Sequence, residues 1–320
     1  MLKRFLIFVL FACVYLCAEE NVGFKLTHVH ETIEPLINME DLQGLVMDDE
    51  YIYISNMKTV YRVPRDSLSE EKIISRRLQS FEYKLRGGYY RHFGGMEMYN
   101  DTLYIAVTGR KHYFTTKKAT PVVVVLDKDL NFVKYGIFPK EIQKGAGWIS
   151  VNSTDGLLYS AWPFGYLHAY SREFENGDTI SFVKNIRLDF LDNHLIDSVR
   201  SGLVNQGGVF SKEGFFFYAA DHKTCSSADF QGIHLFDIKD SVGTEIPLYG
   251  YNNYGERRDF INFKYNAGVV GQRLWEGEDL DLIETDTSAT LYWMILLNVP
   301  SPYGRLMEYH IDPAILKKKK

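Results

Sequence analysis

Cysteine is nearly missing from this chain. There are three in 320 residues, and two of them, Cys13 and Cys17, fall within the first eighteen. Once that stretch is removed, Cys225 stands alone and no internal disulfide can form. A disulfide-framed scaffold is thereby excluded. Cys225 lies near His222 in sequence but reads as a lone loop thiol, not as a metal or redox pair. Long apolar runs are missing too. Beyond the N-terminus no segment reaches eighteen uninterrupted apolar residues, so no further membrane-spanning helix is expected. Positive charge is not in excess: 36 Lys and Arg stand against 41 Asp and Glu. A net charge of −5 does not suit nucleic acid, which needs a basic stripe. There is no phosphate-binding glycine loop, no Gly-x-Ser-x-Gly elbow and no His-Glu-x-x-His. Asp127-Lys128-Asp129 lacks the spacing of a calcium loop and reads as a turn.

The first eighteen residues have the layout of a targeting segment. Lys3 and Arg4 precede an almost wholly apolar run from Phe5 to Leu16, and Ala18 comes just before Glu19 and Glu20. About twelve apolar residues are too few for a permanent span, which needs roughly twenty. The expectation is a signal peptide over residues 1–18, cut after Ala18, and a secreted or periplasmic product with no transmembrane anchor. Leu10-Phe11-Ala12-Cys13 loosely matches a lipoprotein box, but Phe11 is bulky for it. Residues 19–316 read as a single domain and Lys317–Lys320 as a solvated basic tail.

Aromatic residues make up 15% of the chain, with 22 Tyr and 21 Phe, and flat rings favour strands. They recur in a pattern. A glycine opens a short strand, a turn follows, and the chain re-enters a strand at an aromatic residue. The copies open at Gln43-Gly44-Leu45, Gly94-Gly95-Met96, Gly147-Trp148-Ile149, Gln206-Gly207-Gly208 and Glu276-Gly277-Glu278. Tyr53, Tyr104 and Phe217 each stand nine positions after a phrase glycine. A third strand follows each copy, as in Val60–Val63, Val122–Leu126 and Ile233–Phe236, and often a fourth. The glycine-to-glycine steps of 51, 52, 61 and 69 residues suit four-stranded blades. Short, turn-bounded runs of Val, Ile, Tyr and Phe are strands, not helices.

The fold class expected is therefore all-β, a β-propeller of five blades. The widest step could hide a sixth, with Arg257–Val269 as the suspect region. The fifth copy has only three strands before the chain ends, and Phe24–His30 is an unpaired strand-like run at the start. Pairing that run with the last blade would close the ring.

The phrases His92-Phe93-Gly94-Gly95-Met96, Gln206-Gly207-Gly208-Val209-Phe210 and Gly232-Ile233-His234-Leu235-Phe236-Asp237 resemble those of the calcium-lactonase, strictosidine-synthase and NHL-type β-propellers. The resemblance is one of strand rhythm and glycine placement. That group contains lactonases, lyases and binding modules. The resemblance implies, for its enzymes, a divalent cation held in the central channel by Glu, Asn and Asp of the inner strands.

In a propeller the first strand of each blade lines the axis. Gln43, His92, Trp148, Gln206, Glu276 and Glu278 should converge there and are the candidate ligand-binding residues. Trp148 offers a stacking surface for a sugar or another flat ligand. His92 could work as an acid or base near neutral pH. Glu276, Glu278 and Asp279 offer carboxylate oxygens suited to Ca²⁺. The alternative is that these side chains only pair across the axis through water. The function expected is binding of a small ligand, glycan or protein at the channel mouth without catalysis; its rival is a metal-dependent, lactonase-like hydrolase.

Overall fold

The computed structural model describes residues 24–30, 42–65, 72–82, 85, 90–109, 119–191, 203–222, 232–247, 250–251, 257–258, 275–297 and 303–318. The leader, Cys225, Lys319 and Lys320 lie outside the described residues.

The chain opens with β1 (Phe24–His30) and then builds blades in sequence. Blade 1 is β2 (Leu42–Met47), β3 (Tyr51–Asn56), β4 (Thr59–Pro64) and β5 (Ile74–Arg77). Blade 2 is β6 (Tyr90–Tyr99), β7 (Thr102–Gly109), β8 (Val122–Asp127) and β9 (Phe132–Ile137). Blade 3 is β10 (Ser150–Asn152), β11 (Leu157–Ala161), β12 (Tyr166–Tyr170) and β13 (Phe182–Asp189). Blade 4 is β14 (Leu203–Phe210), β15 (Phe215–His222), β16 (Gly232–Lys239) and β17 (Val242–Ile246). Two short strands follow, β18 (Gly250–Tyr251) and β19 (Arg257–Arg258). Blade 5 is β20 (Trp275–Glu284), β21 (Ala289–Leu297) and β22 (Tyr303–Ile311), completed by β1. Within each blade, neighbouring strands are antiparallel.

Period-2 side-chain alternation turns these sheets into a ring. On β7, Leu103, Ile105 and Val107 join a cluster with Tyr53 and Val60 of blade 1. The residues between them, Tyr104 and Ala106, join a cluster with Leu158 and Tyr170 of blade 3. On β15, Phe216 and Tyr218 face blade 3, while Phe215 and Phe217 face blade 5. Met294 and Leu306 of blade 5 meet Leu45, Ile54 and Val63 of blade 1. Five apolar seams thus join five blades, and the last seam returns to the first blade. Because a middle strand packs on both faces, Val122–Leu126 is buried throughout, whereas the outer β13 is mostly exposed or half-buried. The chain is a β-propeller, with five blades among the described residues.

Closure follows the scheme read from the sequence. β1 pairs antiparallel with β22, from Phe24 opposite Ile311 to His30 opposite Leu306, with a bulge between Leu26 and His28. Of the region considered for a sixth blade, Arg257 and Arg258 are described. They form β19, which pairs with β18 on the outer edge of blade 5, since β18 lies beside β1. The rest lies outside the described residues, and among those described there are five blades.

One strand is shorter than the repeat predicts. The third copy reads as a strand from Gly147, yet β10 begins only at Ser150. Backbone carbonyls ahead of it are taken sideways instead of by a ladder. The Gly147 carbonyl accepts from the Gly95 N–H at 2.7 Å, and those of Ala146 and Trp148 accept from the hydroxyls of Thr108 and Ser160 at 2.7 Å each. The outer edges are also covered. β13 and β17 pair in parallel and fuse blades 3 and 4 into one eight-stranded sheet. Ile137 on the edge of blade 2 exchanges backbone bonds with Asp178 and Ile180 from the turn between β12 and β13. Such coverage removes edges open to unwanted pairing.

Candidate functional site

Strands alternate in direction within a blade, so the turns divide between two faces. First-to-second-strand turns leave by one face and are short: residues 48–50, 100–101, 153–156, 211–214 and 285–288. Third-to-fourth-strand turns leave by the same face, where 65–73 and 171–181 are the longer ones. Blade-to-blade links and second-to-third-strand turns leave by the other face, and in sequence most are longer: 31–41, 78–89, 110–121, 138–149, 190–202 and 223–231, with 247–274 carrying β18 and β19. Long connections on a rigid scaffold are where binding residues concentrate.

The inner strands start on that long-loop face. Gln43, His92, Gln206 and Glu276 all lie within the first four residues of β2, β6, β14 and β20. Bulges recur just there: between Leu42 and Gly44, between Tyr90 and His92, and between Asn205 and Gly207. A bulge re-aims a side chain out of the regular alternation. Gln43, His92 and Gln206 are half-buried, and the Gln43 amide donates to the carbonyl of Leu42 at 2.6 Å. Glu276 pairs with Leu296 in the ladder, and its side chain lies outside the described residues.

Trp148 and Glu278 sit deeper. Trp148 is fully buried, stacked on Phe216 with ring centroids 5.6 Å apart and edge-on to Tyr218. A ring sealed between blades 3 and 4 has no face to offer a ligand. Among the described side chains a more exposed tryptophan is Trp162, in the turn between β11 and β12 beside Gly145. Replacing Trp148 with Ala is expected to cost about 3–5 kcal/mol, as for other buried aromatics. Trp162→Ala should cost less than half of that. Urea unfolding of the two variants checks the order.

Below the mouth the inner strands close on one another. A Cβ on Gly44 would lie 2.6 Å from the Gly94 carbonyl oxygen, and one on Gly94 only 2.0 Å from that of Gly147. Blade 5 departs from this pattern. Its bulge falls between Gly277 and Leu280 and holds Glu278 and Asp279, where a bulge of blade 2 holds Gly94 and Gly95 and those of blades 1 and 4 hold Gln43 and Gln206. Both are buried, at 2% and 1% exposure. The Asp279 carboxyl reaches across to two other blades. Its Oδ2 accepts from the N–H of Leu45 on β2 at 3.1 Å and of Met96 on β6 at 2.9 Å. Two residues on, and so on the same side of the strand, Asp281 Oδ2 accepts from the N–H of Met47 at 2.9 Å. Glu97 of β6 accepts from the Ser150 hydroxyl of β10 at 2.9 Å.

Burial dominates the electrostatics of these three acids. Burial raises the Asp281 carboxyl to about 7, against the opposing pull of backbone N–H groups and Arg65. Burial likewise holds Asp279 well above the ordinary carboxylate range. Glu97 is raised by burial and then by the charges of Asp281 and Asp279. The sequence reading proposed Asp279 as a cation ligand and did not single out Glu97 or Asp281. Carboxylates at alternate positions of an inner strand, Asp279 and Asp281, were the available signal.

No protein-family model matches the chain, and no curated protein matches it. Among solved structures it is similar to a luciferin-regenerating enzyme, at 11% identity over 85% of this chain and 77% of that one, with a TM-score of 0.47. It is similar to the α-L-arabinanase of Cellvibrio cellulosa complexed with arabinohexaose, at 12% identity over 85% and 92%, with a TM-score of 0.44. It is similar to a chain of the mitotic checkpoint complex, at 9% identity over 92% and 94%, with a TM-score of 0.44. Identities this low carry nothing about chemistry.

Oδ2 of Asp279 and Oδ2 of Asp281 each face backbone N–H donors. Among the described residues no three His, Cys, Asp or Glu side chains are grouped so as to hold a metal ion.

Proposed function

We propose that this is an exported binding propeller that takes a small ligand, a glycan or a protein segment at the axial mouth on its long-loop face, without performing chemistry on it. The observation that carries this reading is the division of the axis into two levels. Polar side chains open the inner strands at the mouth, where Gln43, His92 and Gln206 are half-buried and re-aimed by bulges. Immediately beneath, glycine backbones and the Asp279 carboxyl close the way. A ligand would meet polar side chains backed by rigid strand backbone, which is a binding geometry. The buried carboxyls are bonded to backbone and are not turned toward that site. Export rests on the leader-like pattern of residues 1–18.

A glycan array and a small-molecule thermal-shift panel on the purified mature protein test the proposal. The expected result is a ligand whose affinity falls at least tenfold in His92→Ala and in Gln206→Ala while the melting temperature moves by only a few degrees. A ligand indifferent to both substitutions would place the site elsewhere. Calcium-dependent turnover of a lactone panel, lost in Glu276→Ala, would establish the hydrolase in its stead.

A further inference from the structure

The sequence carries two Asn-x-Ser/Thr triplets, Asn100-Asp101-Thr102 and Asn152-Ser153-Thr154. Such a triplet is the acceptor pattern for N-linked glycans in an exported chain. Both fall at first-to-second-strand hairpins, one in blade 2 and one in blade 3, yet the fold treats them oppositely.

Asn100 and Asp101 are the two central residues of the hairpin between β6 and β7, closed by Tyr99 opposite Thr102. Both have positive φ, 49° and 56°, as two-residue hairpin turns demand. Both are exposed. The Asn100 backbone carbonyl accepts from the Thr102 hydroxyl at 3.2 Å, and the carboxamide has no hydrogen bond among the described residues. A substituent on its Nδ2 therefore displaces no contact. Asn152 ends the inner strand β10 at 4% exposure. Its Oδ1 accepts from the Thr154 N–H at 3.0 Å and from the Thr154 hydroxyl at 2.8 Å, and its side chain also bonds the Tyr159 hydroxyl. A sugar on that Nδ2 would need room in a packed interior and would carry its hydroxyls out of water.

We propose that Asn100 is an acceptor for an N-linked glycan and that Asn152 stays unmodified in the folded protein. The proposal rests on the reading that the chain is exported, and it applies where export passes an oligosaccharyl transferase. The donor is an oligosaccharide carried on a lipid pyrophosphate. Nδ2 of Asn100 bonds to the anomeric carbon of the first sugar, and the bond from that carbon to the pyrophosphate oxygen breaks. The lipid pyrophosphate leaves with the electron pair, and one Nδ2 proton passes to solvent. Transfer precedes folding, so packing decides which modified chains reach the native ring. The glycan then stands on the short-turn face, away from the mouth.

The full chain, secreted with its own leader from a cultured eukaryotic line, tests the proposal by intact mass and by peptide mapping after peptide-N-glycosidase. One glycan is expected, with Asn100 converted to aspartate by the enzyme and Asn152 unchanged. Thr102→Ala should remove the glycan and Thr102→Ser should keep it, and neither touches the two turn residues. Enzymatic release should move the melting temperature by no more than a few degrees. Secreted protein without a glycan at Asn100, or with one at Asn152, would overturn the proposal. A chain that reaches the medium only when a foreign secretion leader replaces residues 1–18, and then carries the Asn100 glycan, would sink the export reading and leave the acceptor standing. Failure of both leaders to deliver a folded glycoprotein would overturn the acceptor as well.

Discussion

Removing Phe24–His30 is expected to abolish cooperative folding. Those seven residues are the outer strand of the fifth blade and lie at the opposite end of the sequence from the strand they pair with. Their loss removes a ladder that runs from Phe24–Ile311 to His30–Leu306, and it also strips β18 of one of its two partners. β22 becomes an open edge, and an open edge invites pairing between chains. A domain of this kind keeps only about 5–15 kcal/mol of net stability, so the loss of a whole strand is enough to exhaust it. The truncated protein should show no sharp melt by near-ultraviolet circular dichroism and should aggregate during gel filtration. A synthetic peptide covering residues 21–33, added in excess, should restore part of the native signal by adding a strand to the open edge. A truncated chain that melts at the parent's temperature would show that the ring does not depend on its latch strand.

The second large effect is expected from a single methyl group. In Gly94→Ala the new Cβ would stand 2.0 Å from the carbonyl oxygen of Gly147 and 2.8 Å from its carbon. Ordinary carbon–oxygen contacts are about 3.3 Å or more. Neither side can yield easily. The Gly147 carbonyl is held by the Gly95 N–H at 2.7 Å, and the Gly94 carbonyl accepts from the Ser55 hydroxyl at 3.0 Å. The seam between blades 2 and 3 would have to widen at the axis, where the blades are closest. Overpacking of this kind costs about 3 kcal/mol or more when backbone must move, and that corresponds to a fall of roughly 6–12 °C in melting temperature. Gly147→Ala offers the contrast. Its nearest approach is 3.1 Å, to the Asn205 carbonyl oxygen, so a shift of a few tenths of an ångström relieves it. Its melting temperature should fall by less than half as much. Equal losses in the two variants would show that crowding at the axis is not what selects glycine there.

The architecture was legible because a blade is a local object. Gly44 and Tyr53 belong to one hairpin, as do Gly95 and Tyr104, and the repeat of that unit is visible in a single chain. Closure was legible for the same reason: a last blade short of one strand and a spare strand at the start imply each other. Gln43, His92, Gln206 and Glu276 do stand near the start of four of the five inner strands, β2, β6, β14 and β20. The fate of Trp148 was not legible. It looked like an exposed platform because it opens a phrase. However, β10 starts late, and the preceding backbone turns sideways to bond blade 2, which leaves the indole between blades 3 and 4 against Phe216. Glu276, Glu278 and Asp279 were legible as an acidic cluster, but the blades that Asp279 reaches were not. Asp279 meets Met96 across 183 residues of sequence and Leu45 across 234, and no local pattern reports such a meeting.

Sequence alone determined the strand content, the five-fold repeat, the latch formed by the two ends and the polar opening of the inner strands. Each of these depends on neighbours within a hairpin or on the alternation of side chains along a strand. Tertiary structure decided which phrase residues are sealed between blades, and that Asp279 binds the backbones of two other blades. Those outcomes depend on where a bulge turns one side chain and on how closely five inner strands approach a common axis, and both are set only when the ring is closed.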